Sequence, residues 1–314
     1  MTEDELVEAI RPFTRGSGDD AALWQPSRSH RSVISTDMLV EGVDFTRNLM
    51  PLEDAGWRAM AANVSDLCAM GARPVLATVA LGFPKEIARE DVLALYRGLA
   101  ECAAAAKLDI VGGDLSCARD LTIAVAVVGE VRPSDAKLRS EGRPGDVLAV
   151  TGPLGAARAG LGIARDGAAI GEDLELEALR AFRRPRPRVA EGRFLGASRN
   201  VTAMMDLSDG LSTDAARLAL ASGCAADIES VPVAPAARAL AERRKEDPQR
   251  FALAGGEDFE LLVAVRPRAF AHVATRYAAR FKRDLQRVGT LRTGSGVSFN
   301  GARLDRSGWD HFAG

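Results

Sequence analysis

Three aspartates, Asp206, Asp209 and Asp214, crowd the stretch VTAMMDLSDGLSTDAARLA, residues 201–219, behind an apolar run and around a glycine. The habit recurs along the chain. Asp37 follows VIST, Asp114 follows IVGG, and Asp19 and Asp20 sit in GSGDDAA, beside a glycine that lets backbone approach a ligand closely. Asp66 lies instead in a segment of helical periodicity. At about 100° per residue it falls opposite the apolar stripe, alongside Ala55, Ala59 and Ala62, so it is expected to face something packed close. Asp209 or Asp214 alone reads as a helix N-cap, and Asp19 and Asp20 alone as a turn. The full set asks for more. Two carboxylates 4 Å apart repel by about 4 kcal/mol at an effective dielectric near 20, so a cluster needs cations or protons. Mg²⁺ takes oxygen ligands and usually binds through a few carboxylates together with substrate phosphates. The matching chemistry is phosphoryl transfer, in which metal ions neutralise charge and hold the γ-phosphate in line.

Other routes to catalysis lack their residues. There is no G-x-x-x-x-G-K-[ST], and none of the five lysines follows a glycine-rich loop. The zinc-protease, G-x-S-x-G and kinase H-R-D signatures are missing, and His30, His272 and His311 belong to no motif. The glycines of TGPLGAARAGLG have the wrong spacing for a dinucleotide fingerprint. No side chain is therefore expected to act as an acid or base. Arginines and metal ions must do what a P-loop lysine does elsewhere.

Apolar runs alternate with amphipathic segments, which predicts an α/β or α+β fold. Strands are expected over 32–40, 75–83, 108–114, 121–131, 146–152 and 258–265, with a further one ahead of Asp206. Helices are expected over 54–71, stopped by Gly71, and over 89–106. A length of 314 residues suggests two domains, and the polar, Pro- and Gly-bearing stretch 132–146 places the boundary: residues 1–135 and 136–314. RAFRRPRPRVAEGR, residues 180–193, carries six arginines broken by two prolines. It reads as a solvated connection leading into a helix, in preference to a phosphate-binding patch. Hydrophobic residues at 47% and charged residues at 27% describe a soluble globular protein, and a net charge of -2 offers no field for nucleic acid or an anionic membrane. No signal-peptide core and no membrane-length apolar stretch occur. Cys68, Cys102, Cys117 and Cys224 follow no metal or disulfide spacing and read as buried free thiols in a reducing compartment, so the expected location is the cytoplasm.

The motifs GDDAA, STDMLVEGVDF, NVSDLCAMGARP, VGGD, LRSEGRPGD, VTGPLGAARAGL, RPRPRVAEG, MDLSDGLSTD and GGEDFELL, with the terminal GWDHF, follow one another along nearly the whole chain. In this order the sequence resembles the thiamine-monophosphate kinase family, which transfers the γ-phosphate of ATP to thiamine monophosphate. The resemblance implies an N-terminal α/β domain whose sheet pairs with its twin in a homodimer, and a C-terminal layered α/β domain that completes the ATP and substrate site. It also implies several Mg²⁺ ions and direct in-line transfer.

Position by position, the resemblance implies Mg²⁺ ligands at Asp20, Ser35 or Thr36, Asp37, Asp66, Asp114, Asp206 and Asp209. Gly113, Asp114, Arg139 and Ser208 correspond to ATP contacts, and Asp44, Glu257 and Trp309 to substrate contacts. Many relatives have histidine where Asp44 stands. Without the resemblance, Arg139 reads as a solvated linker arginine and Trp309 as an anchor for the tail. The alternative within the superfamily is another ATP-dependent synthetase, such as aminoimidazole ribonucleotide synthetase. The alternative outside it is a non-catalytic cation- or nucleotide-binding module.

Overall fold

The computed structural model describes residues 3–14 and 24–304. The chain divides into two compact units, Met1–Leu67 with Ala72–Pro133, and Cys68–Gly71 with Ser134–Gly314.

In chain order the first unit carries α1 (Glu3–Ile10), β1 (Arg31–Val40), α2 (Leu52–Ala69), β2 (Arg73–Phe83), α3 (Arg89–Ala106), β3 (Asp109–Cys117) and β4 (Thr122–Val131). The strands form one sheet in the order β1-β4-β2-β3. Side chains of a strand alternate between faces. One row of faces holds Ser35, Asp37 and Leu39 with their partners Val127, Val125 and Ile123, and the β4 residues of that row are buried. Helix α2 covers this face, with Leu67 against Gly129. The other face presents Ile34 at 72% and Met38 at 59% exposure. Helices α2 and α3 meet backbone to backbone: a Cβ on Gly98 would lie 1.7 Å from the Glu53 carbonyl oxygen, and one on Gly56 2.1 Å from that of Leu95. Only glycine permits that approach. Gly71, just past α2, adopts φ +71°, as expected of a helix stop.

The second unit carries β5 (Val147–Val150), α4 (Ala156–Asp166), α5 (Glu172–Arg183), α6 (Val189–Gly196), β6 (Val201–Asp206), α7 (Leu211–Ala221), β7 (Ala225–Ile228), α8 (Pro235–Arg243), α9 (Pro248–Leu253), β8 (Leu261–Val265), α10 (Phe270–Phe281), β9 (Gln286–Arg292), β10 (Gly296–Phe299) and β11 (Ala302–Arg303). Its sheet runs β11-β10-β7-β9-β5-β8-β6. Strands β5, β6 and β8 are buried at every residue, the mark of a sheet covered on both faces. Helix α7 packs Leu211, Ala215 and Leu218 into one core with Met205 and Leu262. Among the described residues no helix is long and apolar enough to cross a membrane.

Three expectations need correcting. The arginine-rich stretch is not all connection, because residues 180–183 are the last turn of α5 and only 184–188 link it to α6. The strand expected over 258–265 begins at Leu261, since Glu257 (φ 69°) and Phe259 (φ 46°) adopt left-handed backbone that a strand cannot hold. Cys117 is exposed rather than buried, at the end of edge strand β3; the other three thiols are buried and all four are free.

Candidate functional site

In the first unit β1 and α2 hold a small polar set. The Ser35 hydroxyl donates to the Asp66 carboxylate at close range. The Asp37 backbone N–H donates to Asn63 Oδ1 at 2.8 Å, and Asn63 Nδ2 donates to the Ala59 carbonyl at 2.9 Å. Asp66 thus faces β1, which the small-residue face of its helix anticipated. Asn63 went unnoticed in the sequence, although its spacing of three from Asp66 puts both on one helix face. Thr36 does not join them: it lies in the alternate row and its hydroxyl donates to the Val125 carbonyl at 3.0 Å.

Asp114 stands apart from Asp37. Asp37 pairs with Val125, Val125 with Val79 and Val79 with Gly113, so Asp114 belongs to the next row, at the opposite edge of the sheet. Three strand spacings make that about 14 Å. Gly113 cannot be replaced, as its Cβ would lie 1.7 Å from the Val79 carbonyl oxygen. Asp44 closes the turn after β1, accepting from the Val40 N–H at 2.8 Å. Its charge also partly offsets the burial that lowers the pKa of Arg58 to about 10.

In the second unit, β6 delivers Asp206 to its C-terminal end opposite Leu261 of β8. The chain before β8 runs back alongside: Glu257 N–H donates to the Ser208 carbonyl at 2.7 Å, and Phe259 N–H to that of Leu207 at 3.0 Å. Gly256 fits because a Cβ there would lie 2.8 Å from the Ser208 carbonyl oxygen. Asp206, Ser208, Asp209 and Glu257 are therefore neighbours, with Glu257 held at a positive φ that costs on the order of 1–3 kcal/mol for a non-glycine residue. Asp209 pairs closely with Arg217, which also reaches Asp214 at 3.1 Å, and Asp214 accepts from the Asp209 N–H at 3.0 Å. Burial, then the neighbouring Asp206 and Asp209, push Asp214 up to about 7 in spite of these partners. Arg217, three residues from Asp214, is the sequence signal that was missed.

Arg139 is not part of this group. Its carbonyl accepts from Ser222 Oγ at 2.7 Å, just beyond the far end of α7, an eleven-residue helix about 16 Å long. Asp20 and Trp309 lie outside the described residues. Among the described residues, no three His, Cys, Asp or Glu side chains form a ready metal site. The two partial sets nevertheless suit Mg²⁺. Their donors are all oxygen, the ligand type that Mg²⁺ takes.

The family described as AIR synthase related protein matches over both parts of the chain, its N-terminal domain over residues 18–131 and its C-terminal domain over 143–300. The thiamine-monophosphate kinase of Bacillus subtilis (strain 168) is 32% identical over 333 residues, spanning 99% of this chain and 100% of that protein. The chain belongs to the thiamine-monophosphate kinase family. Solved thiamine-monophosphate kinases share its fold: that of Stenotrophomonas maltophilia K279a superposes with a TM-score of 0.84 at 32% identity, covering 97% of this chain and 98% of the other. A second structure, named as AaThiL complexed with AMPPCP and TMP, gives 0.81 at 31% identity and covers 99% and 97%.

Proposed function

We propose that this protein phosphorylates thiamine monophosphate to thiamine diphosphate at the expense of ATP. The observation that carries this reading is full-length kinship to thiamine-monophosphate kinases, one of whose relatives is named with AMPPCP and TMP both bound. The Mg²⁺ ligands in this reading are Asp20, Ser35, Asp37, Asp66, Asp206 and Asp209, with Thr36 and Asp114 the weaker candidates, because the Thr36 hydroxyl is committed to β4 and Asp114 stands at the opposite edge of the sheet from Asp37. When bound, the ions neutralise phosphate charge. Gly113, Asp114, Arg139 and Ser208 are assigned to ATP, and Asp44, Glu257 and Trp309 to thiamine monophosphate.

The chain's own residues then have defined tasks. Ser35 fixes the Asp66 carboxylate, and Asn63 fixes the backbone that carries Asp37. The Glu257 N–H bond to the Ser208 carbonyl holds this residue beside the Ser208 segment, and its carboxylate is an acceptor suited to the exocyclic amine of a pyrimidine. No general base is assigned. The attacking group is already an anionic phosphate oxygen, so transfer needs alignment and charge balance more than proton removal.

Residues 1–135 serve in this reading for metal and ATP binding and for dimerisation, and residues 136–314 complete the ATP and substrate site. The open sheet face bearing Ile34 and Met38 supports a homodimer. The assigned location is the cytoplasm. Incubation with ATP, Mg²⁺ and thiamine monophosphate, with thiamine diphosphate read by oxidation to its fluorescent thiochrome, tests the activity. Accumulation of the diphosphate is expected. ATP hydrolysis without it would point to a synthetase of the superfamily, and no ATP turnover to a binding module.

A further inference from the structure

The arginines of RAFRRPRPR, residues 180–188, have no assigned part in phosphoryl transfer. Arg180, Arg184, Arg186 and Arg188 line a single cleft of about 470 Å³ in the second unit, and Arg283, just beyond α10, joins them. That volume is within the ordinary range for small-molecule sites. Pro185 and Pro187 hold the backbone between α5 and α6 to a fixed φ, so the guanidinium groups are presented on a stiff strap.

Charge in the cleft is out of balance. Among the described residues, five arginines meet three carboxylates, Glu177, Asp258 and Glu260. Glu260 is shared between Arg188, at 2.9 and 2.6 Å, and Arg283, at 2.8 Å. Asp258 is turned to the backbone N–H groups of Gly155, at 2.7 Å, and Ala157, at 3.3 Å, at the start of α4. Among the described residues, Glu177 is left to face Arg180 and Arg186. Among the described residues, Arg180 and Arg186 make no ion pair and no side-chain hydrogen bond. The remaining wall is apolar, with Pro153, Ala156 and Ala181, and with Leu176 left 60% exposed.

Guanidinium forks match phosphate oxygens in pairs, and an apolar wall takes the organic part of a ligand. We infer that this cleft binds an organic phosphate or diphosphate, separately from the phosphoryl-transfer residues. None of Arg139, Asp206, Ser208, Asp209 and Glu257 lines it. The site is built from arginines and needs no metal.

The test uses the full chain in chelator-treated buffer, titrated calorimetrically with ADP and, separately, with inorganic pyrophosphate. Saturable binding of both is expected, tighter for ADP if the ligand is nucleotide-like and equal for the two if the phosphates alone are read. Arg180→Ala/Arg186→Ala is expected to weaken binding about tenfold, the loss of a charge-assisted hydrogen bond. It should leave the melting temperature unchanged, since neither guanidinium holds the fold. Asp206→Asn, outside the cleft, is expected to leave pyrophosphate affinity unchanged. Equal affinity in the double variant and the wild-type chain, or no saturation at millimolar ligand, would overturn the inference.

Discussion

A carboxylate that only braces a turn tolerates loss of its charge, whereas one that helps hold a cation does not. Asp66 can be tested on that difference. In Asp66→Asn the amide oxygen still accepts from Ser35, so the melting curve should match the wild type while turnover falls by about a hundredfold or more, as for removal of other electrostatic groups. A near-normal kcat would remove Asp66 from the metal-binding assignment. Asp258 gives a pH prediction. Burial, against the pull of the Gly155, Ala157 and Ala156 N–H groups, raises its carboxyl to about 7. The folded state therefore holds a proton that the unfolded chain releases near 4. The resulting stability is complete below about pH 4 and is lost as pH climbs through 7. Asp258→Asn should flatten the decline in melting temperature between pH 5 and 8; an unchanged slope would contradict the assignment. At this scale the sequence was legible where spacing carried the message, as for Asp66 opposite its apolar stripe. Thr36 against Ser35 was not legible, because the strand pleat is fixed by partners far along the chain, such as Val125; Arg217, three residues from Asp214, was within reach of a spacing argument and was missed.

Among the elements, those with strong periodicity were readable. The strand expected over 32–40 runs Arg31–Val40, and the helix expected over 89–106 runs Arg89–Ala106. The segment ahead of β8 was read as strand because DFELLVAV is apolar enough, yet the turn that brings Glu257 to Ser208 needs positive φ at two non-glycine residues, which no pattern announces. Nor did the pattern reveal that α2 and α3 cross at Gly56 and Gly98. Gly98→Ala should force the helices apart, because its methyl would overlap the Glu53 carbonyl, and should cost about 1–3 kcal/mol in chemical denaturation. Unchanged stability would mean that the crossing is looser than its geometry.

For the whole molecule, the function was readable because ten short motifs keep their order over two units, and the thiamine-monophosphate kinases of known structure share that full length. Composition could not have supplied it; a net charge of -2 fits enzymes of almost any kind. In the proposed function the carboxylate sets balance a triphosphate and its acceptor through divalent ions. ATP carrying ¹⁸O in its γ-phosphate, incubated with the protein, thiamine monophosphate and Mg²⁺, tests that role directly by mass spectrometry. Thiamine diphosphate should form in equal amount to ADP, carrying the label in its terminal phosphate, and chelation of Mg²⁺ should abolish it. Labelled inorganic phosphate with no labelled diphosphate, or full turnover in chelator, would contradict the account.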